Sequence, residues 1–344
     1  MSPSRAFVWG CAQGLVLDAE EAAFLRRWQP WGLILFRRNV ANRAQVAALT
    51  QAFRELVGRP DAPVFVDQEG GRVQRLAPPH WIAYPAASAF AAASNDPDEQ
   101  ARLAWLSARL IAYDLQEVGI TVDCLPVLDV PAPGSHPVIG SRAYGSDPQT
   151  VARLGRAAAE GLLAGGVLPV IKHLPGHGRA QADSHLELPR VDASLKELEE
   201  RDFAPFRANA DLPVAMTAHV VFSAIDAENP ATLSPAVVGD VIRGRLGFDG
   251  LLVSDDLSMK ALTGTYGDRT SRLFAAGVDI ALHCNGSQEE ANAVAEATPM
   301  LAGKARERAE RALALATPSL ADFDPVDARA ELEAALGGRL AASA

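Results

Sequence analysis

Eight short apolar runs, each long enough for one buried strand and too short for a helix, recur along the 344 residues. They constrain the fold more than any other feature, and they fall at 6–10, 32–36, 63–66, 121–125, 168–171, 213–217, 250–254 and 278–283. Strands that are apolar at consecutive positions are covered on both faces, the condition of a parallel sheet flanked by helices. Helical signals fill the gaps. Asn42 precedes a Val46, Leu49, Phe53, Leu56 stripe that Gly58 and Pro60 close, Ser194 and Glu197 form a capping-box pair, and Ser234-Pro235 opens a helix ending near Gly247. Caps and periodicity predict further helices at 97–118, 147–165, 268–277 and 287–316. Strand followed by helix, eight times over, predicts a single (β/α)8 barrel of the TIM type rather than two doubly wound halves. No linker or break in composition divides residues 1–316, which are expected to form one catalytic domain. Residues 317–344 read as an Ala-rich C-terminal appendage with a short helix at 326–336.

Composition then removes several classes of function. The formal charge is −10 and the arginines are scattered among glutamates, so no basic stripe is available for nucleic acid. Cys11, Cys124 and Cys284 are odd in number, lie more than a hundred residues apart and form no CxxC pair. They read as reduced thiols, with neither a disulfide scaffold nor a cysteine zinc site. The N-terminal stretch is short and broken by glycines, unlike a signal peptide, and no window reaches the ~18 apolar residues of a membrane span. A cytoplasmic protein with no membrane partner is expected.

In such a barrel, catalytic groups belong at the C-terminal ends of the strands. Here those ends are polar. The run 63–66 is followed by Asp67-Gln-Glu-Gly-Gly-Arg-Val-Gln-Arg75, 168–171 by Lys172-His173-Leu-Pro-Gly-His-Gly178, and 250–254 by Asp255-Asp256. His219 follows the run 213–217 after Ala218. A charge set directly after a buried strand is costly to desolvate unless it is paired, which makes Asp67, Lys172 and Asp255 informative. Between 172 and 185 lie His173, His177, His185 and Asp183. Two histidines at i and i+4 would suit zinc on a helix, but Pro175, Gly176 and Gly178 oppose a helix and the glutamate of that motif is missing. Nor does a third glycine complete a dinucleotide fingerprint. What remains is a loop in which Asp183 can accept the N–H of His185, fixing its tautomer and raising its basicity for proton transfer near neutral pH.

These motifs, with Ser254-Asp-Asp-Leu-Ser-Met259, resemble glycoside hydrolase family 3, and within it the single-domain bacterial β-N-acetylglucosaminidases of the NagZ type, over residues 10–300. The resemblance implies a retaining β-N-acetylhexosaminidase acting on terminal, non-reducing β-linked N-acetylglucosamine of peptidoglycan fragments in cell-wall recycling. It implies Asp255 as nucleophile, with Asp256 a rival on sequence alone, and His185 as acid and base with Asp183 as its partner. It further implies substrate-binding roles for Asp67, Arg142, Lys172 and His173. Arg75 is placed among the substrate-binding residues too, with His219 in support. The motif Ile139-Gly-Ser-Arg142-Ala-Tyr144 carries the arginine. Leu174 stands where the family commonly has Phe, a change expected to alter packing only, and His177 is expected to shape the loop. His80, His136 and His283 receive no catalytic role. No cofactor and no metal are expected; the partner is a small amino-sugar substrate and the chain is expected to act as a monomer. The rivals are a metal-dependent barrel hydrolase, which a chelator would silence, and a non-catalytic sugar-binding barrel, in which Asp255→Ala would change nothing.

Overall fold

The computed structural model describes residues 2–184, 186–317 and 323–337. All eight apolar runs hold a barrel strand: β1 (Arg5–Trp9), β2 (Pro30–Leu35), β3 (Val64–Val66), β4 (Val122–Asp123), β5 (Leu168–Leu174), β6 (Val214–Thr217), β7 (Leu251–Asp256) and β8 (Ile280–His283). Each pairs in parallel with its neighbours in sequence, and β8 pairs with β1, so the cylinder closes without an edge.

Within each continuous apolar run the two-residue period of a strand still sorts side chains. Val8, Phe65, Val214, Met216, Leu251, Val253 and Ile280 fill the lumen, whereas Phe7, Trp9, Val64, Val66, Ala215, Leu252 and Ala281 join the sheath between strands and helices. Burial of such a side chain contributes about 1.5–3 kcal/mol, which explains why no alternation of polar residues appears in these runs.

The helices follow in turn. First is α1 (Ala19–Trp28), which the sequence reading passes over although Asp18 and Glu21 close a capping box at its start. Next come α2 (Arg43–Val57), capped by Asn42 and ended by Gly58 in the left-handed conformation, α3 (Pro97–Gln116) and α4 (Pro148–Ala164). Helices α3 and α4 touch closely, because a Cβ at Gly161 would stand 2.3 Å from the Trp105 carbonyl. They are followed by α5 (195–208), which widens at Leu198–Asp202, α6 (Val237–Arg245) and α7 (Tyr266–Ala276).

The single helix expected over 287–316 is two, α8 (Gln288–Ala297) and α9 (Gly303–Leu313). Pro299 has no N–H to continue the first, and the connecting chain instead crosses the base of the barrel, where the Leu301 N–H donates to the Ser4 carbonyl. Finally α10 (Pro325–Ala335) lies along α3, burying Ala328, Leu332 and Leu336. Among the described residues no helix is long and apolar enough to cross a membrane.

Candidate active site

The functional residues converge because of what happens where the strands end. Between Ile171 and Leu174, strand β5 carries one more residue than the β6 segment it pairs with, and β7 does the same against β8 between Val253 and Asp256. Such slips re-aim side chains. Here two consecutive polar residues, Lys172-His173 and Asp255-Asp256, reach the same mouth. With Asp67, Arg75, Arg142 and Asp183 they line one cavity of about 370 Å³ at the C-terminal end of the barrel.

One wall is a connected set of charges. Lys172, 2% exposed, directs its Nζ to Asp67 Oδ1 at 3.0 Å and to Glu69 Oε1 at 2.7 Å. The Arg75 guanidinium donates to Asp67 Oδ2 at 2.9 Å. Arg142 grips Glu69 with both oxygens engaged, each at 2.8 Å, in the bidentate geometry that suits a planar guanidinium. Burial alone would raise the carboxyl of Asp67, but the charges of Lys172 and Arg75 outweigh it and hold it well below the usual carboxylate range. The same opposition, burial against Lys172 and Arg142, keeps Glu69 ionised, while the two carboxylates overcome the burial of Lys172 and hold its ammonium charged. A wall of fixed, desolvated charges of both signs presents donors and acceptors at set positions, as the recognition of a polyhydroxylated ligand requires.

A second group hangs from Asp129, wholly buried. Its Oδ2 lies 2.7 Å from His173 Nδ1, and its Oδ1 accepts the main-chain N–H of His177 at 2.6 Å. The neighbouring ring of His177 is buried too, and burial together with His173 pushes its pKa down to about 4, so it is neutral. His219 sits beneath the floor, with Nδ1 2.7 Å from Thr232 Oγ1 and Nε2 donating to the Asp256 carbonyl at 3.0 Å.

The adjacent acids of β7 differ in their partners. Asp256 accepts from the N–H and hydroxyl of Ser258, the N–H of Cys284 at 2.9 Å and Asn285 Nδ2 at 3.2 Å, which makes it a clamp between the ends of β7 and β8. Asp255 accepts from the Asp256 N–H at 2.8 Å and lines the cavity half-buried. The lining also holds apolar side chains, Ile34, Phe36, Met216, Met259 and Leu282, with the Arg75 guanidinium 5.6 Å over the Phe36 ring. Among the described residues no three His, Cys, Asp or Glu side chains are grouped as ligands for a metal ion.

Of the residues singled out in sequence, Asp67, Arg75, Arg142, Lys172, His173, Asp183 and Asp255 share this cavity. His185 lies outside the described residues. Two members of the site were not anticipated. Glu69 stands two residues beyond Asp67, so strand alternation would send both to one side. Asp129 ends an apolar stretch, Leu125-Pro-Val-Leu-Asp129, that obeys the strand-end rule once Pro126 is not taken as a stop. Val127 indeed bridges to Lys172 in parallel.

The family described as "Glycosyl hydrolase family 3 N terminal domain" matches residues 12–314. A β-hexosaminidase of Pseudomonas aeruginosa is 41% identical over 276 residues, 79% of this chain and 80% of that one. Another, from Chromobacterium violaceum, is 38% identical over 302 residues, 87% and 84% of the two chains. The crystal structure of NagZ from Neisseria gonorrhoeae in complex with N-trifluoroacetyl-D-glucosamine is 31% identical with a TM-score of 0.84, over 99% of both chains. A glycoside hydrolase family 3 β-N-acetylglucosaminidase from Paenibacillus sp. str. FPU-7 has a TM-score of 0.78 at 31% identity; the match takes in 98% of this chain, which spans 62% of that longer one. A family match over most of the sequence, relatives alike along four fifths of their length and a barrel whose mouth carries the motif residues together place this protein in glycoside hydrolase family 3.

Proposed function

We propose that the protein is a retaining exo-β-N-acetylglucosaminidase. It removes a terminal, non-reducing β-linked N-acetylglucosamine from peptidoglycan fragments, N-acetylglucosaminyl-1,6-anhydro-N-acetylmuramic acid with or without peptide, in cytoplasmic cell-wall recycling. The observation that carries the reading is the shared cavity: the Asp255 carboxylate faces the same ring-sized space as Asp67, Arg142, Lys172 and His173, with Asp183 at its edge. The names of the matched relatives support the sugar and the bond.

In this reading the Asp255 oxygen attacks the anomeric carbon while the glycosidic C–O bond breaks and the leaving oxygen takes a proton from His185, the acid implied by the family resemblance. A glycosyl ester results. Water then attacks the same carbon, His185 recovers a proton from it, and the Asp255 carboxylate is released with the anomeric configuration retained. Using an imidazole as the donor suits neutral pH without the burial that a carboxylic acid needs. The charged wall holds the sugar hydroxyls, and its ionised partners are already paired, so seating the ring requires little reorganisation.

A 5-fluoro N-acetylglucosaminide should trap a covalent adduct, located on Asp255 by peptide mass spectrometry, and NMR of early product should show the β-anomer. Early α-anomer would end the proposal. Turnover of a chromogenic N-acetylglucosaminide should be indifferent to EDTA; loss restored by zinc would favour a metal-dependent hydrolase instead. His185→Ala should slow substrates with poor leaving groups more than activated aryl glycosides, which need less protonation.

A further inference from the structure

A guanidinium that the mechanism above does not use stands at the rim of the same cavity. The residues between Asp67 and Arg75 form a short hairpin, in which Gln68–Gly70 pairs antiparallel with Val73–Gln74. A Cβ on Gly70, whose φ is +89°, would stand 2.2 Å from the Pro85 carbonyl oxygen, so the turn is pressed against the chain behind it. Arg72, on that turn, is exposed and lines the cavity. Its Nη2 donates to the carbonyl of Pro137 at 3.1 Å and to that of Val138, in the loop that leads to Arg142. The Val138 carbonyl also accepts from Arg142 Nη1 at 3.3 Å, which sets the exposed guanidinium beside the wall that holds the sugar. A guanidinium carries five N–H donors, and the three on Nε and Nη1 of Arg72 have no hydrogen-bond partner among the described residues. The other lysine and arginine side chains of the cavity, Arg75, Arg142 and Lys172, are each held by Asp67 or Glu69. Among the described residues Arg72 alone of these four forms no ion pair with a carboxylate.

Depth follows the same order. Lys172 is buried, Arg142 and Arg75 are half-buried, and Arg72 is open to solvent. An enzyme that removes one terminal sugar seats that ring among the enclosed groups and leaves the leaving group at the opening, where Arg72 stands. We infer that Arg72 is a subsite for a carboxylate borne by the leaving group, and that it selects acidic aglycones over neutral ones. The inference rests on the exo-hydrolysis reading of this cavity and adds to it the side chain that recognises the second unit. The lactyl ether of a muramic unit sets a carboxylate and a methyl on one carbon, and a cation beside Val73 and Val138, both in the lining, matches the two. The chain as a whole has a formal charge of −10 and repels an acidic substrate, so a cation without a carboxylate partner at the opening has a large bearing on which leaving groups enter. A stem peptide attached to the lactyl group offers the same chemistry through its own carboxylates.

The test uses the full chain and three disaccharide substrates. One is neutral N,N′-diacetylchitobiose, one is N-acetylglucosaminyl-1,6-anhydro-N-acetylmuramic acid with its lactyl carboxylate free, and one is the latter carrying an L-alanyl-D-glutamate peptide on that carboxylate. Arg72→Met should lower the ratio of acidic to neutral kcat/KM about fivefold, chiefly through KM. Arg72→Glu should lower it further, and Arg72→Lys, which keeps the charge, should recover part of the loss. The wild-type ratio should itself shrink as salt is raised from about 0.05 to about 0.5 M. A loss confined to the free lactyl acid identifies that carboxylate as the ligand, and a loss confined to the peptide-bearing substrate identifies the peptide. An equal fall on neutral and acidic substrates would reduce Arg72 to a brace for the Val138 loop, and an unchanged ratio would place the recognition elsewhere; either result overturns the inference. Wild-type turnover of a nitrophenyl N-acetylglucosaminide is the separate control: if it is absent the proposed function fails, whereas normal turnover with an unchanged ratio removes the role of Arg72 alone.

Discussion

The two ends of the barrel carry ion clusters of the same stoichiometry, and their fates differ. At the C-terminal mouth two carboxylates, Asp67 and Glu69, meet three cations, Arg75, Arg142 and Lys172. At the base, Asp249 and Asp279 meet Arg243, Arg308 and Arg311. The base cluster is a staple. It binds α9 to the starts of β7 and β8, Asp279 also accepts the Leu252 N–H, and Asp249 and Arg311 stand 58% and 53% exposed. Water does much of the solvation of that outer pair, while Asp279 is enclosed between Arg243 and Arg308. At the mouth the side chains of Lys172 and Glu69 are 2% and 3% exposed, and the charges face a cavity. Charge density alone thus does not mark a site. Desolvated charges that face a cavity do, because they stay in fixed positions and can act on a ligand at full strength.

The sharpest way to break the comparison is to remove a single acid from the mouth. Asp255→Ala should reduce kcat by ~10⁴-fold or more while the melting temperature stays within a few degrees of wild type. Retained turnover would mean that the cavity is only a binding site. Next in size, Lys172→Met leaves Asp67 and Glu69 short of a buried partner and should cost about 3–5 kcal/mol of stability, together with most of the activity. The matching change at the base, Arg311→Met, should cost under about 1 kcal/mol and leave kcat/KM alone. Urea denaturation of the two variants side by side decides it; equal losses would erase the distinction between the ends.

A further effect has the opposite sign. Asp123, at the end of β4, has no hydrogen-bond partner at Oδ2 among the described residues, accepts the Gln68 N–H at Oδ1, and has its pKa pushed by burial up to about 8. Below about pH 4 the folded and unfolded chains both hold this proton. As pH rises toward 8 the unfolded chain releases it and the folded one does not, so stability falls across that window. Asp123→Asn keeps the acceptor and never ionises. It should therefore stabilise the protein more at pH 8 than at pH 4.5, measured by thermal unfolding at both. A gain independent of pH would show that the carboxyl is not the source.

Much of this molecule was legible before any coordinates. The strands stood out because each is buried on both faces, which concentrates apolar residues into runs that no surface strand would show. The helix over 287–316 was misread because Ala and charged residues continue the helical composition across Thr298-Pro299, and only the pairing of that segment with the base of β1 makes the break necessary. At the site, Asp67, Lys172 and Asp255 obey a rule about strand ends; Glu69 obeys it two residues further on, and Asp129 obeys it once the run 121–125 is followed past Pro126. The bidentate grip of Arg142 on Glu69 was out of reach, since it joins residues 73 positions apart. The difference between Asp255 and Asp256 was likewise invisible, as it depends on Cys284 and Asn285 from the next strand.

The slips at the ends of β5 and β7 carry a further consequence. In a cylinder of parallel staves each inward layer of side chains comes from alternate staves, so a stave ordinarily lends the rim every second residue. An extra residue in two staves lets two consecutive residues of each line the mouth, on staves two apart. Deleting one residue from either end would not merely shift a side chain; it would turn one of the two neighbours away from the rim and leave a sugar ring with fewer hands to hold it.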